Sequence, residues 1–179
     1  MPESARLRSC TPVELSDRIL EANRRWADAD FPGPAPVRPS RRLVVVTCMD
    51  SRIDVFLVAG LSNGEAHIIR NAGGVITDDV QRSVALSQRK LGTIDLAVIQ
   101  HDDCGLSGFD ADEFRADLLA DTGHEPGWDV QGFVDVDQSV REQIALVEAS
   151  PWIRHDGDVA GFVYDVDTGR LRLVAEIDR

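Results

Sequence analysis

The chain has 179 residues, a length that fits one domain with room for a short terminal arm. Hydrophobic residues make up 43% and charged residues 28%, which is typical of a globular protein and excludes collagen-like, low-complexity and disordered classes. The formal net charge is −12, so we expect long-range repulsion to oppose binding to nucleic acid or to anionic membrane surfaces.

The first residues, Met1 to Ser4, lack a basic-then-apolar signal pattern. The longest apolar stretches, such as Val55 to Leu61, are far too short for a membrane helix. We therefore expect a cytoplasmic protein. Three cysteines cannot all pair with one another, and a disulfide framework would need more of them, so we expect Cys10, Cys48 and Cys104 to be reduced.

The first predicted element is an N-terminal helix. Thr11, Pro12 and Glu14 form a capping-box pattern, in which the threonine caps the helix and the glutamate reaches back from its third position. Apolar residues then recur every three or four positions and form one stripe, at Leu15, Ile19, Ala22 and Trp26. This stripe fits either packing on the chain's own core or an arm laid on a partner subunit.

Four prolines between Pro32 and Pro39 predict an extended connector after the helix. We therefore expect an N-terminal helical arm with its Pro-rich connector at residues 1–40 and a separate α/β domain at residues 41–179.

The second part of the chain predicts alternating strands and helices. We expect strands at Leu43 to Val46, Ala66 to Arg70 and Ile94 to Gln100, and a terminal hairpin of Val159 to Tyr164 with Leu171 to Val174. We expect helices at Asp78 to Leu91, with Val80, Val84 and Leu86 facing the core, at Asp112 to Ala120 and at Asp135 to Ala149. The pattern predicts an α/β fold with a central, mostly parallel β-sheet flanked by helices and an antiparallel edge hairpin.

Two segments with reactive side chains follow two of the predicted parallel strands. Cys48, Asp50 and Arg52 follow the first strand, and His101 and Cys104 follow the third. Because open α/β sheets place their sites at the carboxyl ends of the strands, we expect the two segments to converge. Two thiolates and an imidazole suit zinc, and three protein ligands leave the fourth position for water or substrate.

The neighbouring Asp50 and Arg52 point to catalysis. Alternate residues of an extended segment share one side, so both can lie with Cys48 beside the metal. Asp50 would either take the fourth metal position, in a closed state, or accept a hydrogen bond from a metal-bound water, and Arg52 would hold it in the second role. Because two thiolates cancel the zinc charge, we expect activity to rise with pH as the bound water becomes hydroxide.

Four motifs between Leu43 and Gly105 together resemble those of the β-class carbonic anhydrases: Cys48-x-Asp50-x-Arg52, Arg70-Asn71-Ala72-Gly73-Gly74, Asp78-Asp79-x-x-Arg82-Ser83 and His101-x-x-Cys104-Gly105. The resemblance implies a zinc lyase, a carbonate dehydratase, that reversibly hydrates carbon dioxide to bicarbonate and a proton. It implies one Zn²⁺ per subunit, bound by Cys48, His101 and Cys104, and a catalytic Asp50–Arg52 dyad. It also implies that the backbone amide of Gly105 contacts bound anion, and that the enzyme is a homodimer or a dimer of dimers with the site near the subunit interface.

Asp102 stands where the resemblance implies a small hydroxyl residue, and it would either raise the pKa of the bound water, relay protons or point to solvent. The turn from Asn71 to Gly74 is expected to bring backbone close to the pocket.

The nearest alternative function is a carbonyl sulfide or carbon disulfide hydrolase on the same zinc site, since both molecules offer the same linear electrophilic carbon. A non-catalytic zinc or bicarbonate-sensing module is more distant, because it would have no use for the Asp50–Arg52 pair.

Overall fold

The computed structural model describes residues 14–178, which fall into two compact units that meet in sequence between Pro34 and Ala35. The first unit contains helix α1, Leu15–Ala29, all of whose residues are exposed. Glu14, predicted to lie inside this helix, is instead its N-cap, because its backbone is extended (φ −61°, ψ 152°). The other capping-box residues, Thr11 and Pro12, and the thiol of Cys10 lie outside the described residues.

The second unit is built on a five-stranded sheet with the order β2-β1-β3-β4-β5. The first four strands are parallel, and β5 pairs antiparallel with β4. The strands are β1 Leu43–Cys48, β2 Ala66–Asn71, β3 Asp95–His101, β4 Val159–Asp165 and β5 Arg170–Ile177. The predicted mostly parallel sheet with an antiparallel edge hairpin is therefore confirmed.

The described part of this unit contains four α-helices: α2 Val55–Val58, α3 Asp78–Leu91, α4 Ala111–Thr122 and α5 Val136–Ala149. Helices α3 and α5 contribute to one hydrophobic cluster with the β1 residues Val44 and Val46. A second cluster contains Val45, α2 and the two cysteines of the predicted metal site. Within residues 14–178, no helix combines the length and the apolar character that crossing a membrane requires.

One predicted core residue of α3 is misplaced. Val80 and Val84 are buried as predicted, but Leu86 is 47% exposed, so its predicted orientation towards the core is wrong. At 3.6 residues per turn, position 86 lies about 200° around the helix from position 84. The polar residues Ser87 and Gln88 are buried on the core side instead.

Strands β1 and β3 extend further than their hydrophobic runs predict. Cys48 and His101 are consequently the last residues of these strands, not the first residues of the loops that follow. The ladder hydrogen bonds of β1 and β3 thus hold the backbone of both residues close to rigid elements of the sheet.

Candidate metal centre

Three predicted ligands meet at one edge of the sheet. Cys48 ends β1, His101 ends β3, and Cys104 lies three residues further along the chain. Strands β1 and β3 are parallel neighbours, so their carboxyl ends lie side by side. The two cysteine Sγ atoms and a ring nitrogen of His101 all lie within 4.8 Å of one another, and all three residues are buried.

The imidazole of His101 is oriented by the main chain. Its Nδ1 lies 2.8 Å from the carbonyl oxygen of Asp102, an arrangement in which Nδ1–H donates and Nε2 carries the free lone pair. Among the described residues, this buried Nε2 has no hydrogen-bond partner of normal geometry. A buried polar atom without a hydrogen-bond partner costs free energy of folding. The free lone pair of Nε2 therefore indicates that this atom binds a further group, such as a metal ion.

The cluster fits zinc in both size and chemistry. Tetrahedral zinc binds sulfur at about 2.3 Å and nitrogen at about 2.0–2.1 Å, which places its ligand atoms about 3.6–3.8 Å apart. The three ligand atoms lie within 4.8 Å of one another, a spacing that small side-chain movements can adapt to the ion. Two thiolates and an imidazole are the donors that zinc prefers, and three ligands leave one position free.

The two cysteines share a proton between them. A hydrogen bond with Cys104 lowers the pKa of Cys48, against the opposing effect of burial, and the same bond raises the pKa of Cys104. The thiolate of Cys48 therefore forms readily, whereas the proton of Cys104 leaves only when a cation compensates for the second negative charge. Metal binding should accordingly release a proton from this pair. Both residues are free thiols, as expected from the cysteine count.

The Asp50 carboxylate lies beside this cluster and is held by Arg52. The Arg52 Nε and Nη2 atoms donate to Oδ1 and Oδ2 of Asp50 at 3.0 and 2.8 Å, and the Arg52 backbone N–H donates to Oδ1 at 2.8 Å. These bonds hold the pKa of Asp50 well below its usual range, so the carboxylate stays ionised. Its Oδ2 lies 3.9 Å from Nε2 of His101, and Asp50 is not part of the three-residue cluster.

Known proteins match this chain over most of its length. A carbonic anhydrase family model matches residues 43–128, from the start of β1 to beyond α4. β-Carbonic anhydrase 1 of Mycobacterium tuberculosis is 41% identical over 162 residues, which cover 90% of this chain and 99% of that protein. The chain belongs to the β-carbonic anhydrase family.

Solved structures and other relatives of the β-carbonic anhydrase family agree with this assignment. The crystal structure of carbonic anhydrase from Streptococcus mutans matches with a TM-score of 0.86 and 42% sequence identity, and the match covers 92% of this chain and 100% of that chain. A carbon disulfide hydrolase of Acidithiobacillus thiooxidans is 32% identical and covers 86% of this chain and 85% of that protein. The family resemblance carried by the four motifs is therefore confirmed, and it extends well beyond them.

Two residues without a predicted role contact the segment from Cys48 to Arg52, here called the dyad loop, of this β-carbonic anhydrase family member. Arg70, near the end of β2, donates from Nε to the carbonyl of Cys48 at 2.9 Å and from Nη2 to the carbonyl of Asp50 at 2.6 Å. Asp103 accepts two hydrogen bonds from Arg52, at its carboxylate and at its carbonyl. Both residues stand inside motifs of the sequence, but motif spacing does not reveal hydrogen bonds between neighbouring strand ends.

The carboxylate of Asp102 is not part of the three-residue metal cluster. Its backbone N–H donates to the carbonyl of Tyr164 at 3.1 Å, and its carbonyl accepts from His101. The Asp102 carboxylate acts electrostatically on Arg172, whose pKa is raised mainly by a hydrogen bond with Asp137 and to a smaller extent by Asp102. This position favours the solvent-facing orientation over a role at the metal.

The turn after β2 closely approaches Cys48, one of the predicted metal ligands, as expected. Asn71 closes this turn by exchanging two hydrogen bonds with the backbone of Val75. A Cβ atom at Gly74 would lie 2.8 Å from the backbone nitrogen of Cys48, so only glycine fits there. Gly105 is exposed directly after Cys104, and apart from Gly105 and its two chain neighbours, no described residue has a heavy atom within 4 Å of the position that a Cβ would take there.

Proposed function

We propose that this chain catalyses the reversible hydration of carbon dioxide to bicarbonate and a proton, with zinc as its cofactor. The observation that carries the proposal is the ionised Asp50, held by Arg52 with its Oδ2 3.9 Å from Nε2 of His101. A purely structural or sensing zinc site would not need an oriented carboxylate at its open side. Relatives that are 41% identical carry the name of this activity.

We assign Cys48, His101 and Cys104 as the ligands of one zinc ion per subunit. When bound, zinc supplies a water of lowered pKa as the nucleophile and a positive charge that stabilises the anionic product. The hydrogen bond from Nδ1 of His101 to the Asp102 carbonyl keeps Nε2 directed at the ion and raises its basicity.

Asp50 and Arg52 orient the reaction. As an ionised carboxylate, Asp50 can only accept hydrogen bonds, so its Oδ2 fixes the O–H direction of the water that attacks carbon dioxide. Arg52 binds both carboxylate oxygens of Asp50, which keeps this group ionised and would keep it from binding the zinc itself. We further propose that the backbone N–H of Gly105 donates to bicarbonate.

Stopped-flow hydration of carbon dioxide by zinc-loaded protein, from about pH 6.5 to about pH 9, tests this proposal. We expect the rate to rise with pH. Asp50→Asn should retain zinc but lose turnover, because the amide no longer fixes the water, and Cys104→Ser should lose zinc and turnover together. Full activity of Asp50→Asn across the pH range would contradict the role of the dyad.

A second candidate function is hydrolysis of carbonyl sulfide or carbon disulfide by the same residues. The observation that favours it is the 32% identity to a protein named carbon disulfide hydrolase. Both substrates offer the same linear electrophilic carbon to the same nucleophile. Sulfide release should be measured on the sample used for hydration; strong release with weak hydration would favour this second function, and zinc-loaded protein inactive in both assays would contradict both.

We infer that the enzyme is a homodimer, or a dimer of dimers, with the site near the interface. Apolar side chains in and after the dyad loop are exposed: Met49, in the loop, is 66% exposed, and Leu57, in α2, is 80% exposed. Burying such a surface against a second copy is favourable and would supply apolar walls for an uncharged substrate. In sedimentation velocity, a stable and fully active monomer at low concentration would contradict this inference.

The catalytic domain is proposed to span residues 41–179, with residues 1–40 as an arm that includes α1.

We also propose a cytoplasmic location, because the two free thiols of the metal centre require reducing conditions. Cell fractionation with an antibody against the chain tests this, and recovery only from an oxidising compartment would contradict it.

A further inference from the structure

We propose that Asp103 is a positioning residue, which fixes Arg52 and, through Arg52, the direction of the Asp50 carboxylate. The inference rests on the proposed function, because the direction of Asp50 matters to turnover only if Asp50 orients the attacking water. Asp103 lies between the ligands His101 and Cys104, but it contributes no atom to the metal cluster. It therefore acts on the dyad and not on the ion.

The hydrogen bonds of Arg52 carry the argument. A guanidinium presents its donors along fixed edges, each of which can bind two acceptors. The Nε–Nη2 edge of Arg52 binds the carboxylate of Asp50 at 3.0 and 2.8 Å. The Nη1–Nη2 edge binds Asp103: Nη1 donates to its Oδ2 at 2.7 Å, and Nη2 donates to its carbonyl oxygen at 2.8 Å. Arg52 thus bridges the loop after β1 to the loop after β3.

The backbone of Asp103 is shaped for this contact. Its φ is +52°, in the left-handed region that glycine, asparagine and aspartate tolerate best. In this conformation the carboxylate and the carbonyl of one residue both reach the same guanidinium. A residue that only connected the two ligands would have no need of a left-handed backbone together with two hydrogen bonds to Arg52.

Arg52 needs this second anchor. Its side chain is 43% exposed, and Asp50 is only two residues away on the same loop, so the two side chains alone could move together. Asp103 fastens the pair to the loop that carries His101 and Cys104, which fixes Asp50 relative to the residues that would hold zinc. Because the Asp103 carboxylate is itself 80% exposed, its ion pair with Arg52 is weak, and we expect its loss to cost about three- to fivefold in kcat/KM.

Two substitutions separate the carboxylate from the backbone. Asp103→Gly removes the carboxylate but tolerates the left-handed conformation, and it should lower kcat/KM for carbon dioxide hydration about three- to fivefold at unchanged zinc content. Asp103→Asn keeps an oxygen acceptor and should remain within about twofold of wild type. The matched control is Asp156→Asn, which weakens a second exposed aspartate–arginine ion pair, that of Asp156 with Arg154 in the loop before β4; it should change kcat/KM by less than about 1.5-fold.

A double-mutant cycle identifies the route of the effect. If Asp103 acts through the guanidinium, Asp103→Gly should have no further effect on kcat/KM in an Arg52→Met background. The same three- to fivefold loss in that background, loss of zinc from Asp103→Gly, or wild-type kcat/KM in Asp103→Gly would each overturn the proposal.

A spectroscopic measurement tests the anchor without turnover. The side-chain Nε–H signal of Arg52 in a ¹⁵N NMR spectrum can be assigned by its absence in Arg52→Met. We expect Asp103→Gly to increase the motion of this group and its exchange with water, whereas Asp156→Asn should not. If wild-type protein hydrates no carbon dioxide, the proposed function fails while this signal still tests the anchor. An active wild type with an unchanged Arg52 signal in Asp103→Gly would refute the anchor alone.

Discussion

Substitution of Gly74 by alanine should destabilise the protein and weaken metal binding together. Gly74 has φ +64°, and a Cβ there would lie 2.8 Å from the backbone nitrogen of Cys48 and 2.9 Å from the carbonyl carbon of Thr47. A left-handed L-residue costs about 1–2 kcal/mol. Pushing packed backbone apart adds about 1–3 kcal/mol. We therefore expect Gly74→Ala to lower the free energy of unfolding by about 2–5 kcal/mol.

Gly73→Ala is the matched control for this prediction. Gly73 has φ +78°, but a Cβ there would come too close only to the end of the flexible Leu106 side chain, at 2.8 Å from Cδ1; Cγ1 of Val75, at 3.4 Å, is an ordinary contact. Because that side chain can move, we expect this variant to lose only about 1–2 kcal/mol. Urea unfolding at saturating zinc measures both losses.

Zinc affinity separates the two variants further. Gly74→Ala displaces the backbone of the ligand Cys48, so competition with a chromophoric chelator should show about tenfold or more weaker zinc binding. Gly73→Ala should bind zinc as the wild type does. Equal destabilisation of the two variants, or an unchanged zinc affinity in Gly74→Ala, would refute the idea that this turn holds the ligand in place.

Three further predictions concern packing and pH. Gly161→Ala should cost about 1–3 kcal/mol in urea unfolding, because its Cβ would overlap Cγ1 of Val140, and adding Val140→Ala should restore part of the loss. Gln143→Leu should cost about 1–3 kcal/mol in the same assay, since it leaves the buried N–H of Ile76, now 2.7 Å from Oε1, without an acceptor; wild-type stability would contradict this. Zinc should be lost as pH falls, because protons compete with the metal for the ligand atoms. Burial opposes the charged form of His101, but the neighbouring Cys48 thiolate outweighs burial and raises the pKa of His101. Dialysis at graded pH with zinc analysis measures this, and constant zinc content from about pH 8 to about pH 5 would speak against it.

The parallel strands and the convergence of the metal ligands could be predicted from sequence for a common physical reason. Buried β-branched runs mark the parallel strands, and the carboxyl ends of neighbouring parallel strands lie together. Cys48 and His101 stand at the ends of two such runs. They lie close together because the two strands are parallel neighbours, whatever the packing of other side chains.

Other features depend on geometry that a linear pattern does not contain. The apolar character of Leu86 predicts a core position, but helical rotation puts it on the exposed face and buries Ser87 instead. The Arg70 side chain binds the backbone carbonyl of Cys48, 22 positions away in the chain. The Arg52 side chain binds the backbone carbonyl of Asp103, 51 positions away. Such contacts leave no periodic signal in the sequence.

The hydrogen bond from His101 to a main-chain carbonyl affects how this enzyme can evolve. Every amino acid supplies the same carbonyl, so the orientation of the imidazole does not depend on which side chain follows the histidine. An imidazole held by a carboxylate side chain would instead link two positions, neither of which could change alone. Position 102 is therefore free to vary, and an aspartate can stand there where the family resemblance implies a small hydroxyl residue. The metal centre thus adjoins a site at which selection can alter charge without disturbing the ligand.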